Sequence, residues 1–80
     1  MRFCGLEVEA YSGFKVNERP LAFFWEGRKI VVSEVLDRWF EGGRTERDQR
    51  LDYFKVRTRD GEEYILRYNG LFDAWSLLVR

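Results

Sequence analysis

The amino-acid sequence predicts an all-β fold, a small antiparallel meander or open SH3-like barrel of roughly five or six strands, on three observations. Alternating aromatic and β-branched runs over 52–58 and 62–68 flank Asp60-Gly61, a strong short-range hairpin signal. A third alternating run, Ala74–Val79, follows closely. Glu26-Gly27 sits between two further apolar runs, Leu21–Trp25 and Arg28–Val32, and repeats the hairpin pattern nearer the N-terminus.

The elements follow in chain order. Residues 3–11 alternate Leu6, Val8 and Ala10 with Glu7 and Glu9, the pattern of one half-buried strand. Ser12-Gly13 ends it, 13–19 reads as a loop, and Pro20 suits the start of an edge strand. A two-residue loop at Glu26-Gly27 would set Phe23 opposite Ile30 and Leu21 opposite Val32 on one buried face. Over 33–40 the favoured reading is a long, bent strand with a bulge near Ser33-Glu34, because a small barrel needs such a strand to turn its corner. Val32, Val35, Leu36, Trp39 and Phe40 also recur at helical spacing, with Ser33 and Gly42 as caps. A short helix over 33–40 is therefore the alternative. Residues 42–50 hold two glycines and no apolar residue, as a surface loop does.

The C-terminal register can be argued from burial. A loop of Asp60-Gly61 alone would set Phe54 against Arg67 and mix polar with apolar on each face. A loop of Arg59-Asp60-Gly61, with Gly61 left-handed in a bulge, sets Phe54 against Leu66 and Val56 against Tyr64. The second register is preferred. Tyr64, Leu66 and Tyr68 then meet Trp75, Leu77 and Val79 across an Asn69-Gly70 loop. The predicted core adds Leu6, Val8, Phe23, Ile30, Val32, Val35 and Trp39 to Phe54, Val56, Tyr64, Leu66, Trp75, Leu77 and Val79.

The 80 residues make a single domain, 1–80, near the small end of what folds without staples. Three Trp, seven Phe and four Tyr supply enough large apolar groups for one core. Fourteen basic residues balance fourteen acidic ones, so no net field draws the chain to nucleic acid or an anionic membrane. A single Cys and no His argue against a disulfide, a metal site and the usual general base, and no cofactor is implied. The N-terminal stretch lacks a signal-peptide pattern, and no apolar run reaches membrane-spanning length. A cytoplasmic protein with no membrane contact is expected.

Glu18-Arg-Pro20, Trp25-x-Gly27-Arg28, Val32-x-Glu34-Val35-Leu36-Asp37-x-Trp39, Asp52-Tyr53-Phe54-x-Val56, Asp60-Gly61 and Tyr64-Ile65-Leu66 form a framework. It resembles a group of short, uncharacterised bacterial cytoplasmic proteins, over roughly residues 11–79. The sparser pattern Trp25-x-Gly27, Val35-Leu36-x-x-Trp39, Tyr64-x-Leu66 and Trp75-x-Leu77 is similar, more distantly, to a small uncharacterised domain found near Y-family-like DNA polymerase genes. Neither likeness brings an activity or catalytic residues. They imply a bacterial cytoplasmic setting and, by association alone, some connection with nucleic-acid processing.

The residues themselves offer few sites. Tyr53, Lys55, Arg57 and Arg67 share the outward face of the C-terminal hairpin, with Arg59 at its turn. This patch could grip a phosphate backbone and stack a base. The bland reading, which outweighs it, pairs Arg57 with Glu63 and Tyr53 with Arg67 across the strands. Phe24 or Trp25 beside the first turn is the candidate exposed anchor, whereas Trp39 and Trp75 read as core. Arg44, Arg47 and Arg50 are nearly cancelled by Glu46 and Asp48. Asp37, an acid among apolar residues, should accept backbone N–H groups at a bulge or pair with an Arg such as Arg28. Glu62 and Glu63 point to opposite faces, so no catalytic constellation forms and an enzyme is not expected. The leading expectation is a non-enzymatic interaction module with a protein partner or a second copy; the alternative is a small barrel binding single-stranded nucleic acid through the Arg/Tyr face.

Overall fold

The computed structural model describes residues 1–11, 19–42 and 50–79. The loop expected over 13–19 falls almost wholly outside them, as do Arg44, Glu46, Arg47 and Asp48. Every described element is a strand: β1 (Arg2–Leu6), β2 (Val8–Tyr11), β3 (Arg19–Trp25), β4 (Arg28–Glu41), β5 (Leu51–Thr58), β6 (Glu63–Asn69) and β7 (Ala74–Val79). They form one antiparallel sheet in the order β1-β7-β6-β5-β4-β3-β2. The single N-terminal strand expected from the alternation divides at Glu7, so seven strands stand where five or six were expected. Its two halves pair with opposite ends of the sheet, β1 with β7 and β2 with β3. The Phe24 N–H donates to the Glu7 carbonyl at 3.0 Å at this junction. One bent segment thus joins the two ends of the order, and the sheet curls into a barrel-like shell.

Both hairpins form as their turn residues require. At the first, Trp25 faces Arg28, and Glu26 and Gly27 hold φ of 51° and 76°, the paired positive angles of a type I′ turn. At the second, the Gly61 N–H bonds the Thr58 carbonyl at 2.9 Å and the Thr58 N–H bonds the Glu62 carbonyl at 2.8 Å. Gly61 is left-handed at φ 86°, so the loop is Arg59-Asp60-Gly61 with its bulge. The facing pairs Phe54–Leu66, Val56–Tyr64 and Arg57–Glu63 follow, which is the register that separates the faces. Across the next loop Leu66 faces Leu77 and Tyr68 faces Trp75. The Asn69 side-chain oxygen accepts the N–H groups of Leu71 and Phe72 at 3.0 and 3.3 Å and closes that turn.

Residues 33–40 are strand, and the helix alternative is not what forms. Two extra residues bend β4 against β5. Val32 pairs with Thr58 but Glu34 with Arg57, which leaves Ser33 as the first bulge, where it was expected. Its hydroxyl donates to the Arg57 and Thr58 carbonyls at 3.0 and 3.3 Å. Val35 pairs with Val56 but Asp37 with Lys55, so Leu36 is a second bulge that the alternation did not reveal. This second step turns Asp37 and Trp39 to the outer face.

The interior is built from Phe23, Ile30, Phe54, Val56, Leu66, Trp75 and Leu77, with Leu6, Val8, Val32, Val35, Tyr64 and Val79 packed around them. Phe23 of β3 meets Tyr64 of β6 edge-on, with ring centroids 5.3 Å apart, and ties the two halves of the shell together. Trp39 corrects the predicted core: it lies outside, 36% exposed, because of the bulge at Leu36. Leu21 is a second correction. Glu9 pairs with Ala22 but Ala10 with Pro20, so Leu21 is an extra residue on β3 and points out, while Pro20 is buried. Strand β3 is interior to the order, not an edge, and Pro20 stands where the ladder is already interrupted.

Candidate functional site

The outward face of the β5–β6 hairpin carries the residues expected to bind. Alternation along β5 and β6 puts Tyr53, Lys55, Arg57 and Arg67 on that face, with Arg59 exposed at the turn. The charges of Lys55 and Arg57 are engaged by neighbours. Arg57 reaches Glu34 on β4 at 2.6 Å and Glu63 on β6 at 3.4 Å, and Lys55 reaches Glu63 at 3.6 Å. These side chains are about half exposed, so each pair contributes roughly 0–1 kcal/mol and acts mainly to neutralise the face.

Tyr53 is not available as a stacking platform. It is 8% exposed, stacked on Trp39 with centroids 5.3 Å apart and parallel rings, and meets Phe3 edge-on at 6.0 Å. Burial, then a hydrogen bond to the Glu41 carboxylate, pushes its phenol pKa up, while Arg67 acts in the opposite sense. The cation–π contact expected between Tyr53 and Arg67 forms elsewhere: the Arg67 guanidinium lies 4.0 Å from the Phe3 ring centroid. Neither Phe3 nor Trp39 was assigned to this face from the sequence. Phe3 arrives because β1 pairs with β7, and Trp39 because Leu36 is bulged.

The first turn divides its two aromatics. Phe24 is 38% exposed, whereas Trp25 is half-buried and packs against the core. Trp25 also lines a concavity of about 610 Å³ beside Tyr64, Ile65 and Val79, so it is no free anchor at a hairpin tip. Asp37 accepts the Arg38 N–H at 2.8 Å beside the second bulge, the backbone role expected for it, although the bulge differs.

A second surface, not singled out in the sequence, lies at the end of the sheet where Glu41, Leu51, Asn69 and Ala74 form one row. Phe40 stands one residue inside that row, and Leu71 and Phe72 occupy the loop just past it. They are 60%, 70% and 69% exposed, the most exposed large apolar side chains after Met1 among the described residues. The Arg50 guanidinium lies 4.3 Å from the Phe40 ring centroid and reaches Asp52 at 3.3 Å. The loop is held in shape, since the Tyr68 hydroxyl donates to Asp73 at 2.7 Å and Asn69 caps the turn. A fixed loop that presents Leu71 and Phe72 to water offers apolar contact area without an ordering cost. The only sequence signal was two large apolar residues after Asn69-Gly70, where turn chemistry favours polar ones.

Among the described residues, no group of three or more His, Cys, Asp and Glu is placed to hold a metal ion, and no helix is long and apolar enough to cross a membrane.

The chain belongs to the DUF6504 family, a domain of unknown function whose family model matches residues 6–78, from the end of β1 into β7. No curated protein and no solved structure matches the chain.

Proposed function

We propose that this domain is a non-enzymatic protein-interaction module that works in a bacterial cytoplasmic setting. One observation carries the reading. Phe40, Leu71 and Phe72 stand 60–70% exposed at one end of the sheet, and the loop that carries Leu71 and Phe72 is already ordered by Asn69 and Asp73. Balanced charge and the internal pairing of Arg57 and Lys55 fit a surface anchored by apolar contacts better than one that grips phosphates. The framework's likeness to short bacterial cytoplasmic proteins supplies the setting. The weaker likeness to a domain found near Y-family-like polymerase genes suggests, by association, a partner engaged with DNA.

Affinity capture from a bacterial cytoplasm tests this. The wild-type domain should retain a specific protein at high salt, and Leu71→Ser/Phe72→Ser should release it while the fold stays intact by circular dichroism. Retention of nucleic acid alone, lost as salt rises, would overturn the reading in favour of a nucleic-acid-binding barrel.

A further inference from the structure

Strands β6 and β7 part before they end. Among the described residues their pairing stops at Leu66 opposite Leu77, while β6 reaches back to Glu63 and β7 runs on to Val79. The concavity of about 610 Å³ lies at this parting, and its size is that of a binding cleft. Ile65, Leu78 and Val79 give it apolar walls, with Trp25 and Tyr64 beside them. Of its charged residues, Lys55 and Glu63 pair with each other at 3.6 Å, and Glu62 is exposed. Trp25 and Tyr64 are half-buried, yet among the described residues the indole N–H and the phenol hydroxyl have no hydrogen-bond partner. Such polar tips usually find a partner once they are covered. The cleft therefore suits an apolar loop, whose carbonyl groups can accept from both tips.

We infer that the Leu71-Phe72 loop of one copy seats in the β6–β7 cleft of a second copy, so that copies join head to tail. The inference rests on the protein-interaction reading above and names the partner of its Leu71-Phe72 surface. Leu71 and Phe72 are adjacent, exposed and held by the Asn69 side chain, so they enter the cleft with little ordering cost.

A chain cannot fill its own cleft in this way. The loop and the cleft stand at opposite ends of β6, whose seven residues span roughly 20 Å. A surface and its complement at opposite ends of one molecule make a heterologous contact, which propagates into a ring or an open chain. A symmetric loop-to-loop dimer would instead leave the Trp25 and Tyr64 tips unanswered. Two side chains bury far less than the roughly 1,600 Å² of a standard interface, so the contact is weak and reversible.

Sedimentation equilibrium of the whole chain, with a complementation pair, tests the assignment. The weight-average mass of the wild type should rise above that of a monomer as concentration approaches about 1 mM, the range of weak contacts. Leu71→Ser/Phe72→Ser removes the loop and keeps the cleft, whereas Leu78→Lys spoils the cleft and keeps the loop. Each alone should stay monomeric, and an equimolar mixture should form a dimer that grows no further. Amide dispersion checks both folds, and Ile65→Lys is the second cleft variant should Leu78→Lys fail to fold. A monomeric wild type, a loop variant that still self-associates, or a mixture that stays monomeric would overturn the head-to-tail contact. If the wild type is monomeric but capture of another protein still depends on Leu71 and Phe72, only the choice of a second copy fails. If the chain neither self-associates nor captures a protein, the reading beneath it fails as well.

Discussion

Trp39 and Trp75 sit in similar alternating segments, yet one faces water and the other faces the core. Trp75 is 6% exposed, packs against Phe54 and Tyr68 with centroids 5.5 and 4.9 Å away, and belongs to the buried cluster. Trp75→Ala should therefore cost about 3–5 kcal/mol, whereas Trp39→Ala, which removes a stacking partner and leaves no core cavity, should cost about 1 kcal/mol. Urea unfolding of both variants decides; equal costs would contradict the placement of Trp39 on the outer face. Removing Trp39 also uncovers Tyr53, whose phenol has a raised pKa. The folded chain holds that proton more tightly than the unfolded one. The stability this contributes is fully present below the ordinary phenol value of about 10 and falls as pH rises through the folded pKa. Tyr53→Phe should flatten that alkaline loss in Tm, and an unchanged slope would place the phenol in water.

At the scale of elements, the C-terminal hairpin was legible because two requirements agreed. Sorting Phe54, Val56, Tyr64 and Leu66 to one face demanded a three-residue loop, and Gly61 stood where that loop needs a positive φ. Gly61→Ala has space for its methyl but must adopt φ 86°, and should lower stability by about 1–2 kcal/mol with the hairpin register kept. A variant as stable as wild type would mean the turn is not as described. Strand β4 shows where such reasoning stops. Ser33 marked its bulge by being small, polar and able to bond backbone carbonyls, and the barrel corner required a bend. Leu36 carries no such mark. Between Val35 and Trp39 it fits a helix, a strand or a bulge equally, and only pairing with β5 separates them. One extra residue reversed the facing of Asp37 and Trp39. It therefore hid the cover that Trp39 places over Tyr53.

The whole molecule turns on how the curled sheet closes and what it leaves open. The bend at Glu7 brings β1 beside β7 and β2 beside β3, which buries the aromatic interior and carries Phe3 over the Arg/Tyr face. That closure was not legible, because the alternation from Leu6 to Ala10 passes through Glu7 without a break. The outward positions of Tyr53, Lys55, Arg57 and Arg67 were legible from period two alone. Their occupation by Glu34, Phe3 and Trp39 depends on long-range pairing that no local pattern encodes. Among the described residues, Phe40 near the end of β4 and Leu71 and Phe72 in the neighbouring loop stand exposed, and these side chains give the interaction reading its content. Its most direct test is an amide-shift titration of the labelled chain with short single-stranded DNA and RNA at low and moderate salt. No clustered shifts are expected at 53–59 and 63–67, since Tyr53, Lys55, Arg57 and Arg67 are engaged from within. Salt-sensitive shifts concentrated on those two stretches would contradict it and make the domain a nucleic-acid-binding barrel.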